Sequence, residues 1–109
     1  MKKSVLSQYE LSNEAKQKMW TEFVNVCNEY DEKPEAVFEN NGSRKRRFVE
    51  IRYLTMLSVK SKNETYTFDK IGLYFGLDHS TVIHGINTAN DLIKSDKNFR
   101  AIAEKILNK

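Results

Sequence analysis

The stretch from Ile71 to Leu92, IGLYFGLDHSTVIHGINTANDL, constrains the fold of this chain most strongly. Gly76 and Leu77 stand between two apolar helical patterns, and a glycine lets the backbone turn sharply. Asp78 follows, and its carboxylate can accept a hydrogen bond from a free N–H in the first turn of the next helix. A helix, a glycine-containing turn and a capped second helix predict a helix-turn-helix.

The second helix of this pattern has an apolar side and a polar side. At about 100° per residue, one side collects Val82, Ile83, Ile86, Ala89 and Ile93, and the other collects Ser80, Thr81, His84, Asn87 and Thr88. We expect the apolar side to face the core. Short polar side chains suit a DNA major groove, whose base edges present donors, acceptors and the thymine methyl group. Asp78 and His79 lie in the first turn, the part of a recognition helix that enters the groove.

These residues carry a family resemblance. IGLYFGLDHSTVIHG resembles the signature of the C-terminal DNA-binding domain (domain IV) of the bacterial replication initiator DnaA, in which I-G-x-x-F-G precedes an Asp-His-Thr-Thr-Val run and a further His. Upstream, VNVCNEYDEKPEAVFENNGSRKRRFVEIRYLTML is similar to the family's first long helix, short helix, basic loop and second long helix. The resemblance extends roughly from Met19 to Leu107 and implies an all-α, TrpR-like fold of about five to six helices.

Composition and charge agree with a small DNA-binding domain. With 109 residues, 39% hydrophobic and 30% charged, the chain is expected to be globular. Residues 1–40 contain five basic and eight acidic groups, a net charge of −3, whereas residues 41–109 contain thirteen and seven, a net charge of +6. The positive half includes the helix-turn-helix, as expected for a phosphate-binding face. No apolar run suits a membrane span or a secretion signal, so we expect a cytoplasmic, nucleoid-associated protein.

Apolar spacing and capping residues predict the remaining elements. We expect an arm over residues 1–11 and one domain over residues 12–109. Its other helices are predicted from Ser12 to about Tyr30, over PEAVF from Pro34, from Phe48 to Val59, over FDKIGLYF after Thr67, and after Ser95 or Asp96 to the end. Lys60, Lys62 and SKNET are predicted to form a loop. No stretch has the convincing alternation of a strand, and TYTF is only the nearest candidate. Trp20 and Cys27 lie in the apolar stripe of the first helix, so we expect both to be packed inside.

A basic segment, Arg44-Lys45-Arg46-Arg47, precedes the helix that is predicted from Phe48. For an arbitrary protein such a run is a solvated surface, but here it shares a half with the helix-turn-helix and matches the family's basic loop. The resemblance implies that Arg47 enters the minor groove and that Arg44, Lys45 and Arg46 neutralise phosphates. An A·T-rich minor groove has an enhanced negative potential, which favours an arginine. Arg52, one turn further, can contact phosphate or pair with an acidic neighbour.

The resemblance also implies the base-reading residues. It assigns Asp78, His79, Ser80 and Thr81 to the major groove, and His84 and Thr88 lie on the same polar side. Asp78 can accept from a cytosine amino group or cap the helix, and these two roles compete. Leu77, Ser80, Gly85 and Thr88 depart from the family pattern, where a basic residue, a threonine, a small alanine or serine, and a cation are usual. We therefore expect a different DNA site or a lower affinity.

Other chemistry finds little support. Four glycines and no GxxxxGK[ST] loop argue against nucleotide binding. His79 and His84 are five residues apart on a helix and do not converge on a metal, and Asp78, His79 and Ser80 are too close in sequence to orient one another as a catalytic triad. We predict no enzymatic activity, cofactor or metal, and a monomer whose partners are double-stranded DNA and replication proteins.

Two other functions stay open. One is a protein-interaction module of the same fold that docks on a replication initiator or helicase through Glu22, Glu29, Glu32 and Glu35. The other is a transcription regulator of a phage or mobile element.

Overall fold

The computed structural model describes residues 11–40 and 44–108, and this part of the chain contains six α-helices and no strand. They are α1 (Asn13–Glu29), α2 (Pro34–Glu39), α3 (Arg46–Lys62), α4 (Phe68–Phe75), α5 (His79–Ser95) and α6 (Lys97–Leu107). The all-α prediction is confirmed, and TYTF, the nearest candidate for a strand, forms none. The predicted arm lies outside the described residues except for Leu11, which packs against the core. The sequence also predicts a loop over Asn40, Asn41, Gly42 and Ser43, and the last three of these residues lie outside the described part.

Four helices begin at a side-chain cap that the sequence predicts. The side chains of Ser12, Thr67, Asp78 and Asp96 accept hydrogen bonds from the backbone N–H groups of Ala15, Lys70, Thr81 and Phe99, at 3.0, 3.1, 2.8 and 3.0 Å. Each bond satisfies a donor that the first turn leaves free. Pro34 begins α2, where its missing N–H is not needed. Of the two candidates for α6, Asp96 is the cap, and the Ser95 hydroxyl donates to the Asp91 carbonyl.

Helix α3 is longer than predicted at both ends. It begins at Arg46 and ends at Lys62, so two residues of the basic segment form its first turn and the predicted loop starts only at Asn63. Cations near a helix N-terminus oppose the helix dipole, whereas near the C-terminus they favour it. The unfavourable interaction at the N-terminus is offset because Arg46 pairs with Glu50 one turn later, at 2.6 Å. At the other end, Lys62 Nζ donates to the Ile106 carbonyl at 2.9 Å.

Helix α3 is the centre of the packing. It runs antiparallel to α5, because Arg46 at its start reaches Asp96 just beyond the end of α5, and Tyr53 lies against Gly85 in the middle of α5. Most positions from Phe48 to Val59 are buried, including the polar residues Arg52, Thr55 and Ser58. The sequence predicts one inward face for this helix, formed by Phe48, Ile51, Tyr53, Leu54 and Leu57, and the observed burial is wider. A chain segment that is covered by helices on several sides buries residues all around its axis.

The core joins all six helices. Its largest fully buried side chains are Phe23, Phe75, Phe99, Met19, Ile51, Leu54, Met56, Ile71, Ile106, Val26, Val37 and Val59. Trp20 packs on this core beside Phe23, with ring centroids 5.7 Å apart, so its predicted packing is confirmed. Cys27 is fully buried, and burial raises the pKa of its thiol to about 12. Ile83 and Ile93, which are predicted to face the core from α5, are only partly buried, as is Ile102 of α6.

The turn between α4 and α5 depends on two glycines. Gly76 ends α4 with a φ of 70°, in the left-handed region that favours glycine. Leu77 N–H then donates to the Gly72 carbonyl at 2.8 Å, which folds the turn back onto α4. A Cβ at Gly72 would collide with the Leu77 carbonyl oxygen and lie 3.3 Å from Val82 Cγ2. The backbone at Gly72 is thus closely approached by the turn as well as by α5.

Candidate nucleic-acid interface

The first turn of α5 presents short polar side chains at the surface. Asp78, His79 and Ser80 are exposed, and Thr81 is half-buried. Asp78 Oδ1 accepts from the Thr81 N–H at 2.8 Å, and its hydrogen bonds to the Thr81 side chain and backbone lower the pKa of the Asp78 carboxyl. Of the two roles that the sequence left open for Asp78, the free protein has the capping one. The cap holds the turn in helical geometry and so gives the neighbouring side chains defined positions.

His79 projects to the surface and contacts α4. Its Nδ1 lies 3.2 Å from Asp69 Oδ1, and its ring meets the Phe68 ring nearly at right angles with centroids 5.8 Å apart. On a helical wheel His79 falls near the apolar edge of α5. At the first helical position, however, no preceding turn of α5 covers the side chain, so it extends past the core.

The polar side continues along α5. His84 and Asn87 are exposed and Thr88 is half-buried, whereas Val82, Ile86 and Ala89 on the other side are buried. The His84 ring meets the Tyr53 ring edge-on, with centroids 6.1 Å apart. The sequence therefore predicted both sides of this helix correctly in outline.

The basic segment is exposed, but its two arginines in α3 are bound to other groups of the protein. Arg44 and Lys45 are exposed, and the Lys45 ammonium lies 5.3 Å from the centroid of the Phe48 ring. Arg46 Nε donates to Glu50 Oε2 at 2.6 Å, and its Nη2 donates to Asp96 Oδ2 at 3.0 Å. These carboxylates raise the pKa of Arg46, chiefly through the hydrogen bond to Glu50.

Arg47 connects α3 to the corner after α1. Its Nε donates to Glu32 Oε2 at 2.7 Å, its Nη2 donates to the Tyr30 carbonyl, and its guanidinium lies 5.8 Å from the centroid of the Tyr30 ring. The side chain of Arg47 is nevertheless half-exposed. Any contact of this guanidinium with DNA must therefore replace or extend these internal contacts.

Arg52 is buried, unlike the four residues of the basic segment. It is only 7% exposed, and burial lowers the pKa of its guanidinium. Because the packing of α3 covers this side chain, its burial argues against the phosphate contact considered for Arg52.

The basic segment and the first turn of α5 lie at opposite ends of the antiparallel α3–α5 pair. Helix α5 has 17 residues, and at about 1.5 Å per residue it is about 25 Å long. Adjacent grooves of B-DNA are about 17 Å apart, half of a turn of about 34 Å. The length of α5 is thus greater than the spacing of adjacent grooves, and Arg46 pairs with Asp96 at the end of α5 that is remote from His79.

The acidic residues of the interaction-module hypothesis are mostly engaged inside the domain. Glu22 accepts from Ser58 Oγ at 2.6 Å and from Lys62 Nζ at 3.2 Å. Glu29 pairs with Lys105 at 3.6 Å, Glu32 pairs with Arg47, and Glu35 is exposed.

Sequence reasoning missed the partners of the candidate residues. The Arg46–Glu50 pair has a local signal, since residues four apart on a helix are neighbours. The pairs of Arg47 with Glu32 and of His79 with Asp69 cross between elements and have no such signal.

Comparison with known proteins identifies the family. A family model described as the bacterial dnaA protein helix-turn-helix matches residues 24–89, from within α1 to within α5. The chain belongs to the DnaA helix-turn-helix family. The predicted resemblance is confirmed, and the domain is an all-α, DNA-binding helix-turn-helix of the DnaA type.

Curated relatives agree with this assignment. The chain is 33% identical over 82 residues to the chromosomal replication initiator protein DnaA of Bacteroides thetaiotaomicron, and 34% identical over 82 residues to that of Bacteroides fragilis. Each match covers 74% of this chain, and the matched region spans 17% of the DnaA relative.

The described part of this DnaA-type domain has neither a helix suited to a membrane nor a cluster of metal ligands. Within residues 11–40 and 44–108, no helix is long and apolar enough to cross a membrane. The same residues contain no group of three or more His, Cys, Asp or Glu that could hold a metal ion.

Proposed function

We propose that this DnaA-type domain binds double-stranded DNA sequence-specifically, with the first turns of α5 in the major groove and the basic segment on the adjacent minor groove and backbone. The observation that carries the proposal is the exposed, capped start of α5. Asp78 fixes the first turn, and His79 and Ser80 are exposed beside it. A helix that enters the major groove reads base edges mainly with its N-terminal residues.

The chemistry of these side chains suits base recognition. The hydroxyl groups of Ser80 and Thr81 can donate to or accept from base edges, and the Thr81 methyl group can contact thymine. A His79 ring nitrogen can hydrogen-bond to a base, and His84 and Thr88 extend the same polar side. Asp78 acts mainly through its cap, because the Thr81 N–H occupies one of its oxygens.

The basic segment supplies the electrostatic contribution to DNA binding. Arg44 and Lys45 are exposed and can neutralise phosphates. Arg46 contributes a third cation when it exchanges its carboxylate partners for phosphates. Arg47 is the proposed minor-groove residue, and it must leave Glu32 or bind with the guanidinium nitrogen that is not engaged there. Arg52 takes no part because it is buried.

The role of this binding follows from the relatives. They are named chromosomal replication initiator proteins, which supports a role in replication initiation or its regulation. A monomer on duplex DNA, with replication proteins as further partners, is part of the same proposal. The interaction-module alternative is weaker because Glu22, Glu29 and Glu32 already have internal partners.

Selection from a random pool of duplex DNA, followed by titration of the selected site at several salt concentrations, tests the proposal. We expect an enriched sequence and, for contacts to about four to six phosphates, a slope of log affinity against log salt near −4 to −5. The matched control is a shuffled duplex of equal length, which should bind more weakly with a similar slope. No enriched sequence together with a slope near zero would contradict DNA binding.

A further inference from the structure

The candidate base-reading histidine is in contact with two side chains of the preceding helix. His79 Nδ1 lies 3.2 Å from Asp69 Oδ1, and Phe68 contacts the ring edge-on. Asp69 and Phe68 are in the first turn of α4, and His79 is the first residue of α5. The two helices are joined by the tight turn at Gly76, so the geometry between them is set by the helix-turn-helix itself.

The contact with Asp69 determines which ring nitrogen is left for DNA. A carboxylate only accepts hydrogen bonds, so the Nδ1 beside it carries the hydrogen in both the neutral and the protonated ring. Nε2 is then the ring nitrogen that remains for a base. In the neutral ring this nitrogen is an acceptor, which suits the exocyclic amino group of adenine or cytosine in the major groove.

We infer that Asp69 is a positioning residue for sequence recognition: it holds the His79 ring and its tautomer so that Nε2 reads one base pair. The inference rests on the proposed function, because it concerns the same site. It adds a residue outside the recognition helix that contributes to specificity without contacting a base.

The ion pair itself adds little to the stability of the domain. The Asp69 and His79 side chains are 63% and 55% exposed, and exposed ion pairs contribute little to stability. In addition, the Asp69 carboxylate is a negative charge near the path proposed for DNA, so by charge alone it disfavours binding. Its effects on general affinity and on base discrimination therefore have opposite signs, and an experiment can separate them.

The test compares wild type, Asp69→Ala, Asp69→Asn, His79→Ala and the double variant Asp69→Ala/His79→Ala. Selection from a random duplex pool gives base discrimination at each position, and titration with a shuffled duplex gives general affinity. Glu64→Gln is the matched control, because it removes an exposed carboxylate of the preceding loop. Circular dichroism and thermal unfolding verify that each variant is folded.

We expect His79→Ala to reduce discrimination at one base pair by about 5- to 100-fold, the range of a single base-pair mismatch. Asp69→Ala should reduce discrimination at the same base pair and raise affinity for the shuffled duplex. Asp69→Asn keeps an acceptor for Nδ1 and should retain the discrimination at this base pair. The double variant should lose no more discrimination than His79→Ala does alone, because both changes act through the same ring. Glu64→Gln should leave discrimination unchanged.

Three results would overturn the inference while leaving the proposed function intact. In each case the wild-type protein enriches a sequence. The three results are unchanged base discrimination in Asp69→Ala, unchanged base discrimination in His79→Ala, and equal losses of base discrimination in Asp69→Ala and Asp69→Asn. A wild-type protein that enriches no sequence would overturn the proposed function, and this inference with it.

Discussion

The guanidinium of Arg47 is held by Glu32: Arg47 Nε donates to Glu32 Oε2 at 2.7 Å. The same guanidinium donates to the Tyr30 carbonyl near the end of α1 and lies over the Tyr30 ring. The arginine proposed for the minor groove thus also joins α3 to the corner after α1. DNA and the protein's own acceptors compete for one side chain, and this competition leads to the first two predictions.

Glu32→Gln should raise the affinity for the selected DNA site. Removal of the carboxylate charge weakens the hold on Arg47, and an exposed or half-exposed ion pair contributes about 0.2–1 kcal/mol, so the gain should be up to about fivefold. Fluorescence anisotropy with a labelled duplex measures it. Glu35→Gln is the control, because it removes the same charge from a nearby exposed residue. The bonds described for Arg47 go to Glu32 and Tyr30 instead. Equal gains in both variants would mean that only general charge matters, and a loss in Glu32→Gln would mean that Glu32 positions Arg47.

Arg47→Ala should weaken binding to the selected site by about 1–3 kcal/mol, the range of an arginine that reads a groove. Arg47→Lys should recover only part of this loss, since lysine lacks the planar fork of donors. Lys16→Ala, which removes an exposed cation of α1, should change affinity much less. Because Arg47 also binds the Tyr30 carbonyl, urea unfolding of each variant is needed to verify that the domain stays folded at the assay temperature. Affinity that is unchanged in Arg47→Ala would exclude the minor-groove assignment.

Gly72→Ala should destabilise the domain more than Gly85→Ala. At Gly72 the added methyl group meets the Leu77 backbone carbonyl, which cannot move without opening the turn. At Gly85 it meets Met56 Cε at 2.6 Å and Tyr53 Cδ1 at 2.7 Å, and the methionine can change rotamer. Overpacking costs about 1–3 kcal/mol, and we expect Gly72→Ala at the upper end even though alanine favours helix. Urea unfolding measures both, and a Gly72→Ala variant as stable as wild type would show that the turn is more adaptable than its geometry indicates.

Asp78 should contribute stability that is lost in acid. Its hydrogen bonds to Thr81 lower the pKa of its carboxyl in the folded protein. For a lowered pKa, the contribution is complete above the unfolded value of about 3.9 and decreases as the pH falls through the folded value. The difference in stability between wild type and Asp78→Asn should therefore shrink below about pH 4. Thermal unfolding from pH 7 to pH 3 measures it, and a difference that stays constant with pH would contradict the role of the charged cap.

Local features of the fold were predictable. The caps Ser12, Thr67 and Asp78 and the turn at Gly76 depend on residues within four positions of one another, and their chemistry is visible in the sequence. The ends of α3 were less predictable, because the charge of Arg46 at its start is offset partly by Asp96, which is 50 residues away in the chain. Arg52 could not be assigned from sequence, since its burial depends on the helices that surround α3.

The sequence by itself determined the helical class, the helix-turn-helix and the polar side of α5, because periodicity and capping act between near neighbours along the chain. Only the tertiary structure decided which groups hold the candidate DNA-binding side chains. Glu32 and Arg47 are 15 residues apart, and Asp69 and His79 are 10 apart. Neither spacing brings two side chains together within one helix, so these contacts exist only because the packing of α3 and the turn between α4 and α5 place separate elements side by side.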